Sequence, residues 1–450
     1  MSSSSIKSPK ENILFYCLVI TAHLFWFAMG QKWGNFFNSD TPEYIYLAEN
    51  IRHGHYYAFN FYLPLDDFKF TFRPPVYSLF LLGIYTLFGK SPLLVILFQN
   101  VISISSISLI RKLSFNILPD NKATFLFALF VVFFPAQMFF ANMLVPDLLF
   151  QFFLVLYLCV VIRFIQRPTK HAGWKMSCWL ILAVLTKPVI YPFFFLHLLF
   201  CLIYSIKLKW KEPFIAALLP VFAIVLYSTW NMERTGLYHV SSVQAYNLLH
   251  WNTGGFISAK YGSDSGTYLL QEVDDSAKQL TGLPAKYELF IAKANSVIKA
   301  DLWHYALYHL KGGLKFFIDP GKNEMDLFHN GLVSLEHIQP KNFFTSFNDE
   351  GVKGAWDYIK SYPLLPILLT TVLFNLLRII GFLLFFRRKE ILLEVKLFIL
   401  AFVPYFAIVA GPVANSRYFL GISLIMSLCA AFGLGGLFSK RRHNLISTNA

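Results

Sequence analysis

Long apolar runs free of charge recur along these 450 residues, and they decide the class of fold before any motif is considered. A helix that crosses the hydrocarbon core of a bilayer needs about 20 predominantly apolar residues. Residues 13–30, 93–110, 123–141, 147–165, 189–206, 214–230, 363–386, 397–411 and 417–438 meet that need, and 176–186 adds a shorter run. Helices satisfy their own backbone polar groups where no water can, so these runs predict an all-α polytopic membrane protein of about ten spans. A composition of 56% hydrophobic and 14% charged residues excludes a soluble core, a disordered chain and a disulfide scaffold. Cys17, Cys159, Cys178, Cys201 and Cys429 all fall inside apolar stretches, which fits packing thiols and neither a disulfide framework nor a thiolate metal site.

The first run is too long for a signal-peptide core and is followed by Gln31-Lys32-Trp33 and not by small residues, so it is read as a helix. Lysine and arginine in short loops resist translocation. They are dense at Lys7 and Lys10, and in 111–122 (Arg111, Lys112, Lys122), 163–175 (Arg163, Arg167, Lys170, Lys175) and 207–213 (Lys207, Lys209, Lys211). They recur in 387–396 (Arg387, Arg388, Lys389, Lys396) and in the tail (Lys440, Arg441, Arg442). All of these share the cytoplasmic side if 176–186 and 189–206 form an up-and-down pair and if 74–89 does not cross. Sixteen helical residues reach about 24 Å, short of a core of about 30 Å. That segment also opens with Pro74-Pro75, so it is expected to be an interfacial helix.

Both termini are then cytoplasmic, and 31–92 and 231–362 lie outside. The chain divides into a module over 1–230, an outer subdomain over 231–362 and final spans with a basic tail over 363–450. The outer subdomain is expected to be mixed or helical, given amphipathic runs such as Tyr287 to Ile298. The net charge of +14 is accounted for by the loops on the inner side, so the bilayer is the implied partner and nucleic acid is not.

Ionisable residues at the outer boundary carry the candidate chemistry. Asp40 stands before a short amphipathic pattern in which Tyr44, Leu47, Ala48 and Ile51 share a face. It can be the N-cap, with Glu43 completing a capping box. Alternatively, a carboxylate just outside the membrane can take the proton of an attacking hydroxyl or amine. Asp147, after Pro146, is open to the same two readings. Arg73, Lys187 and Arg417 are cations on the outer face, against the inside bias. Each alone could snorkel to headgroups, but their convergence with two carboxylates suits an anionic phosphate. His23, His197 and Arg378 are read as packing or headgroup partners and are assigned no role. No G-x-S-x-G, P-loop, H-E-x-x-H or dinucleotide fingerprint is present. The run Phe432-Gly433-Leu434-Gly435-Gly436 is read as a close helix contact.

The ordered set of Asp40 with its Tyr-rich helix, Arg73-Pro-Pro-x-Tyr77, Leu87-Phe88-Gly89, Pro135 with Asp147, Leu185-Thr186-Lys187 and Ser416-Arg417-Tyr418 resembles the GT-C superfamily of polyprenyl-phosphate-dependent glycosyltransferases. Within it, the bacterial protein O-mannosyltransferase and lipid A aminoarabinose transferase type is the most alike. The resemblance covers roughly 13–235 and 397–438, with no motif placed in 231–362. It implies a GT-C fold with juxtamembrane helices in the first outer loop, and inverting transfer of a sugar from a polyprenyl-phosphate donor to a lipid, glycan or protein acceptor. Asp40 and Asp147 would be the catalytic carboxylates, Arg73, Lys187 and Arg417 would meet the phosphate, and Tyr44 and Tyr77 would complete the substrate-binding set. The resemblance fixes no particular cofactor, and a divalent cation is compatible with the acidic residues. The sequence departs from aminoarabinose transferases at Phe72, where they carry an acidic residue, and it lacks a D-x-D arrangement around Asp147. In a bacterium the protein would sit in the inner membrane with its site facing the periplasm. The alternative is a transporter or flippase of a lipid-linked glycan, but such proteins show repeats and midplane charges, which are not evident here. A non-catalytic scaffold has only the large outer segment in its favour.

Overall fold

The structure, a computed structural model, describes residues 9–59, 67–118, 120–331, 350–354, 356–357, 359–360 and 364–447, with side chains described between 13 and 437. Lys7 and residues 332–349 of the outer segment lie outside the described residues, as do the side chains of Lys10, Lys440, Arg441 and Arg442.

Every regular element among the described residues is helical. The first half comprises α1 (Pro9–Trp33), α2 (Thr41–Arg52), α3 (Pro75–Phe88), α4 (Pro92–Ile117), α5 (Asn121–Val132), α6 (Ala136–Ala141), α7 (Asp147–Gln166), α8 (Ala172–Val184), α9 (Phe194–Leu208) and α10 (Glu212–Thr235). Then come α11 (Val243–Tyr246), α12 (Gly254–Tyr261), α13 (Ser263–Lys278), α14 (Leu283–Ala300), α15 (Leu302–Ile318) and α16 (Lys322–Asn330), and finally α17 (Leu365–Phe385), α18 (Leu393–Ala410) and α19 (Ser416–Ser447). Among the described residues, eight helical segments are long and apolar enough to cross a membrane. The chain is an all-α polytopic membrane protein.

Two of the expected spans are shorter elements. The run 176–186 belongs to α8, whose 13 residues reach about 20 Å. The run 123–141 is broken into α5 and α6 because Pro135 has no N–H to donate. Phe134 N–H turns back to the carbonyl of Val131, and the carbonyl of Phe130 accepts from Arg378 Nη2 at 2.9 Å instead. Arg378 is fully buried in α17, donates to Ser427 Oγ and Asn375 Oδ1, and lies against the rings of Phe130, Phe134 and Phe419. A guanidinium enclosed by a span is tolerated when such acceptors and rings replace its water. The expected interfacial helix over 74–89 is α3, 14 residues long.

The main core gathers α1, α5, α7, α8, α18 and α19, while lipid-facing positions such as Leu24, Ile206 and Leu383 stay exposed. A separate cluster forms among α11, α13 and α14, with Phe68 of the loop after α2 stacked on Phe290 of α14. Phe316 of α15 and Met325 and Phe328 of α16 belong to the main core and not to that second cluster. Asp319 and Pro320, between α15 and α16, are therefore held at the end of the bundle.

The glycine run does bring two helices together. A Cβ at Gly433 would overlap the carbonyl oxygen of Gly381, and one at Gly381 would lie 2.5 Å from that of Ala430. Small residues let α17 and α19 touch backbone to backbone. Gly433→Leu is expected to destabilise the protein by about 1–3 kcal/mol or more through overpacking. Thermal denaturation in detergent checks this, and an unchanged midpoint would mean that the contact is not needed.

Candidate functional site

Backbone stitching brings distant loops to one rim. Asn38, not Asp40, caps α2: its Oδ1 accepts from the N–H groups of Asp40 and Thr41, both at 3.0 Å. Thr41 Oγ1 donates to the carbonyl of Leu144 at 2.9 Å, and Leu144 N–H donates to Phe36, so the turn before α2 is fixed to the turn before α7. Likewise Val76 N–H, at the start of α3, donates to Leu185 at the end of α8 at 3.0 Å. That bond joins the Arg73 turn to the Lys187 turn. Ser416 N–H at the start of α19 donates to Asp319 Oδ2 at 2.8 Å.

The side chains freed by this arrangement form one ionic chain. Glu43 Oε2 accepts from Arg73 Nε at 2.6 Å, and Arg73 Nη2 reaches Asp40 Oδ1 at 2.8 Å. Asp40 Oδ2 meets Arg417 Nη1 at 2.6 Å, and Arg417 Nε continues to Asp147 Oδ2 at 3.1 Å. Asp147 Oδ1 meets Lys187 Nζ at 2.6 Å. Neither aspartate makes a side-chain cap bond. The capping alternatives are thus excluded, and Glu43, read as half of a capping box, is a partner of Arg73. Asp147 also lies at the positive end of the α7 dipole, which favours its charge; Arg417 sits at the positive end of α19, which does not. Two carboxylates around one guanidinium offset that penalty.

Burial opposes the charge on Asp40, but Arg417 and then Arg73 outweigh it and hold its carboxyl well below the ordinary carboxylate range. Burial pushes Glu43 up, against the pull of Arg73. Burial also lowers the proton affinity of Lys187, although Asp147 works the other way. The Asp147 side chain is only 1% exposed, whereas those of Asp40 and Arg417 are 22% and 19% exposed. Their exposed parts open onto a cavity of about 450 Å³.

Asp40, Tyr44, Arg73, Lys187 and Arg417 form the charged side of that cavity. Val189, Pro192 and Val409 line its apolar side, and Gln244, Asn247, Asn252 and Tyr287 cover it from the segment between α10 and α15. These covering residues sit in a segment where the sequence showed no motif, and only their convergence in space marks them. Asn252 Oδ1 is enclosed without a hydrogen-bond partner.

Tyr77 corrects an expectation. It is fully buried, its ring meets Tyr44 edge-on at 5.1 Å, and its hydroxyl donates to Gln99 at 2.7 Å, so it supports Tyr44 from behind and does not line the cavity. Phe72, at the position of departure, offers its ring to Arg73 at 4.8 Å.

Beside the ionic chain, Glu324 of α16 is buried, and its Oε2 and the Oγ of Ser416 both lie near Gly321. Burial, followed by the Asp319 carboxylate, pushes Glu324 from 4.5 up to about 7. The folded state therefore holds a proton there that the unfolded chain has lost, and stability falls as pH rises between 4.5 and about 7. That interval corresponds to about 3 kcal/mol. Glu324→Gln is expected to raise the denaturation midpoint at pH 8 and leave it nearly unchanged near pH 4.5. Equal shifts at both pH values would contradict the assignment.

No family model matches the sequence, and no curated protein does. By fold, the chain is similar to the archaeal oligosaccharyltransferase AglB from Archaeoglobus fulgidus in complex with an inhibitory peptide and a dolichol-phosphate. The identity is 13% and the TM-score 0.46, over 98% of this chain and 52% of that one. It is also similar to ArnT from Cupriavidus metallidurans bound to undecaprenyl phosphate, at 14% identity and a TM-score of 0.41, over 96% of this chain and 78% of that one. The chain spans about half the length of the AglB chain. Likenesses this loose add nothing to the chemistry of the site, which rests on its own geometry.

Proposed function

We propose that this is a membrane glycosyltransferase of the GT-C type, moving a sugar from a polyprenyl-phosphate carrier to an acceptor on the outer side of the membrane. The observation that carries the reading is the position of Arg417, bridging Asp40 and Asp147 where the cavity meets the ends of the spans. The apolar wall suits a lipid tail, and Lys187, Arg73 and Arg417 suit its phosphate. Fixed cations stabilise a phosphate leaving group as its bond to the sugar breaks.

Asp40 would act as general base, and direct attack would invert the anomeric centre. In the resting protein this carboxylate is engaged by both guanidinium groups, so it holds a proton poorly. A donor phosphate that draws Arg417 to itself would free one side of Asp40 and raise its proton affinity. Donor binding would thereby switch on the base. The acceptor's hydroxyl or amine would lose its proton to Asp40 as it attacks, and the polyprenyl phosphate would leave among the cations. Each carboxylate at the rim is already engaged by a cation, and among the described residues no three metal-binding side chains are grouped, so no step is routed through a divalent cation. Both termini would face the cytoplasm and the cavity the opposite side.

Incubating the purified protein with a panel of labelled polyprenyl-phosphate sugars tests the reading. Release of polyprenyl phosphate with one donor, dependent on acceptor, is the expected result. Movement of intact donor across vesicles without release would favour a flippase.

A further inference from the structure

Helix α15 presents an apolar face that no part of the described chain covers. Trp303, Leu307, Leu310, Leu314 and Ile318 recur at helical spacing along one side, with Trp303 71% and both Leu310 and Leu314 59% exposed. Lys311 and Lys315 follow along one flank of this stripe and are exposed. The opposite side is fixed to the bundle. His309 Nε2 donates to the carbonyl of Ile408 at 2.8 Å, and Phe316 is buried in the membrane core. At Gly312 a Cβ would overlap the carbonyl oxygen of Gly411, so only glycine permits this approach to the end of α18.

Those contacts set the height of the helix. The end of α18 carries Ile408 and Val409, both exposed, and Val409 also lines the cavity. The stripe of α15 is thus continuous with the lipid-facing surface of a span, at the level of the ionic chain. An amphipathic helix with leucines on one face, a tryptophan at its start and lysines at the margin is what a bilayer surface selects. Lysines beside such a face can rise to anionic headgroups while their stems cover apolar area.

We propose that α15 is a membrane-surface helix: its apolar stripe enters the acyl region of the leaflet on the side of the candidate site, and Lys311 and Lys315 pair with anionic phospholipid headgroups. The outer segment is then anchored to the lipid through α15 as well as to the bundle, which would hold the covering residues of the cavity over the site. The occupant is the bilayer and not a protein partner, because the stripe continues a surface that already faces lipid.

Nitroxide labels test this in the full chain. In a background with the five cysteines replaced, Leu310→Cys and Leu314→Cys are labelled and reconstituted in phosphatidylcholine vesicles with and without phosphatidylglycerol. Asp275→Cys on α13, 56% exposed, gives the aqueous reference. Labels at 310 and 314 are expected to collide several-fold more with oxygen than with a water-soluble nickel chelate, the reverse of the reference. Nickel accessibility equal to the reference would place the face in water, and shielding from both reagents would mean that protein covers it; either overturns the proposal. Phosphatidylglycerol is expected to deepen the labels, and Lys311→Gln with Lys315→Gln to abolish that dependence. If the dependence survives both substitutions, the headgroup assignment fails.

Discussion

Asp40→Asn is expected to slow sugar transfer roughly 10²–10⁴-fold, the range lost when a positioned general base is removed. Few substitutions in this protein isolate basicity so cleanly. Helix α2 is capped by Asn38, so its start does not depend on the carboxylate. Arg73 keeps Glu43 and Arg417 keeps Asp147, so neither cation is stranded. One negative charge fewer beside the cations does not oppose a donor phosphate, and the loss should therefore appear in kcat with little rise in KM. The pH profile gives a second reading. In the free protein the Asp40 carboxyl is held well below its ordinary 3.8, so its protonation should leave kcat/KM unaffected down to about that pH. With donor bound and Arg417 drawn away, the group titrates higher, and kcat should acquire an acid limb that kcat/KM lacks. Transfer by the asparagine variant at the wild-type rate would remove Asp40 from the chemistry.

Eight of the expected spans were legible because hydrophobic length is written directly in the sequence, and so were the charged residues, because a cation or carboxylate at the edge of an apolar run is conspicuous. Asp40, Arg73, Asp147, Lys187 and Arg417 do meet at one rim. Which of them pair was not legible, since it depends on long-range bonds such as Thr41 to Leu144 and Val76 to Leu185. Local pattern left the cap undecided for the same reason. Asn38, Asp40 and Glu43 all fit helix-start chemistry, and only tertiary attraction from Arg73 and Arg417 draws the acidic pair away from it. Tyr77 was misplaced because adjacency to Arg73 in sequence says nothing of direction, and its side chain turns inward to Gln99. The covering residues from α11 to α14 carry no signal of their own, being ordinary amides and a tyrosine that acquire meaning only over the cavity.

Arg417→Met should produce the largest loss of stability of any single change at the rim, about 3–5 kcal/mol, the usual effect of removing one partner from a buried ion pair. Arg417 is the one residue of the ionic chain that holds both aspartates, and Asp147 behind it is 1% exposed, with no water to replace a lost cation. Lys187 continues to bind Asp147, which favours the lower end of that range. The harm is expected to come from the stranded carboxylate more than from the missing attraction. Adding Asp147→Asn to Arg417→Met should therefore recover part of the loss, so that the two effects are non-additive in a double-mutant cycle. Arg417→Lys separates charge from geometry: one ammonium cannot reproduce the guanidinium fork that reaches two carboxylates at once. It should keep more stability than the methionine variant and still transfer sugar poorly. Denaturation midpoints of the four proteins in the cycle decide the matter. If the Arg417→Met protein melts with the wild type, the bridge between Asp40 and Asp147 does not hold the rim together, and the coupling of donor binding to the base has no structural support.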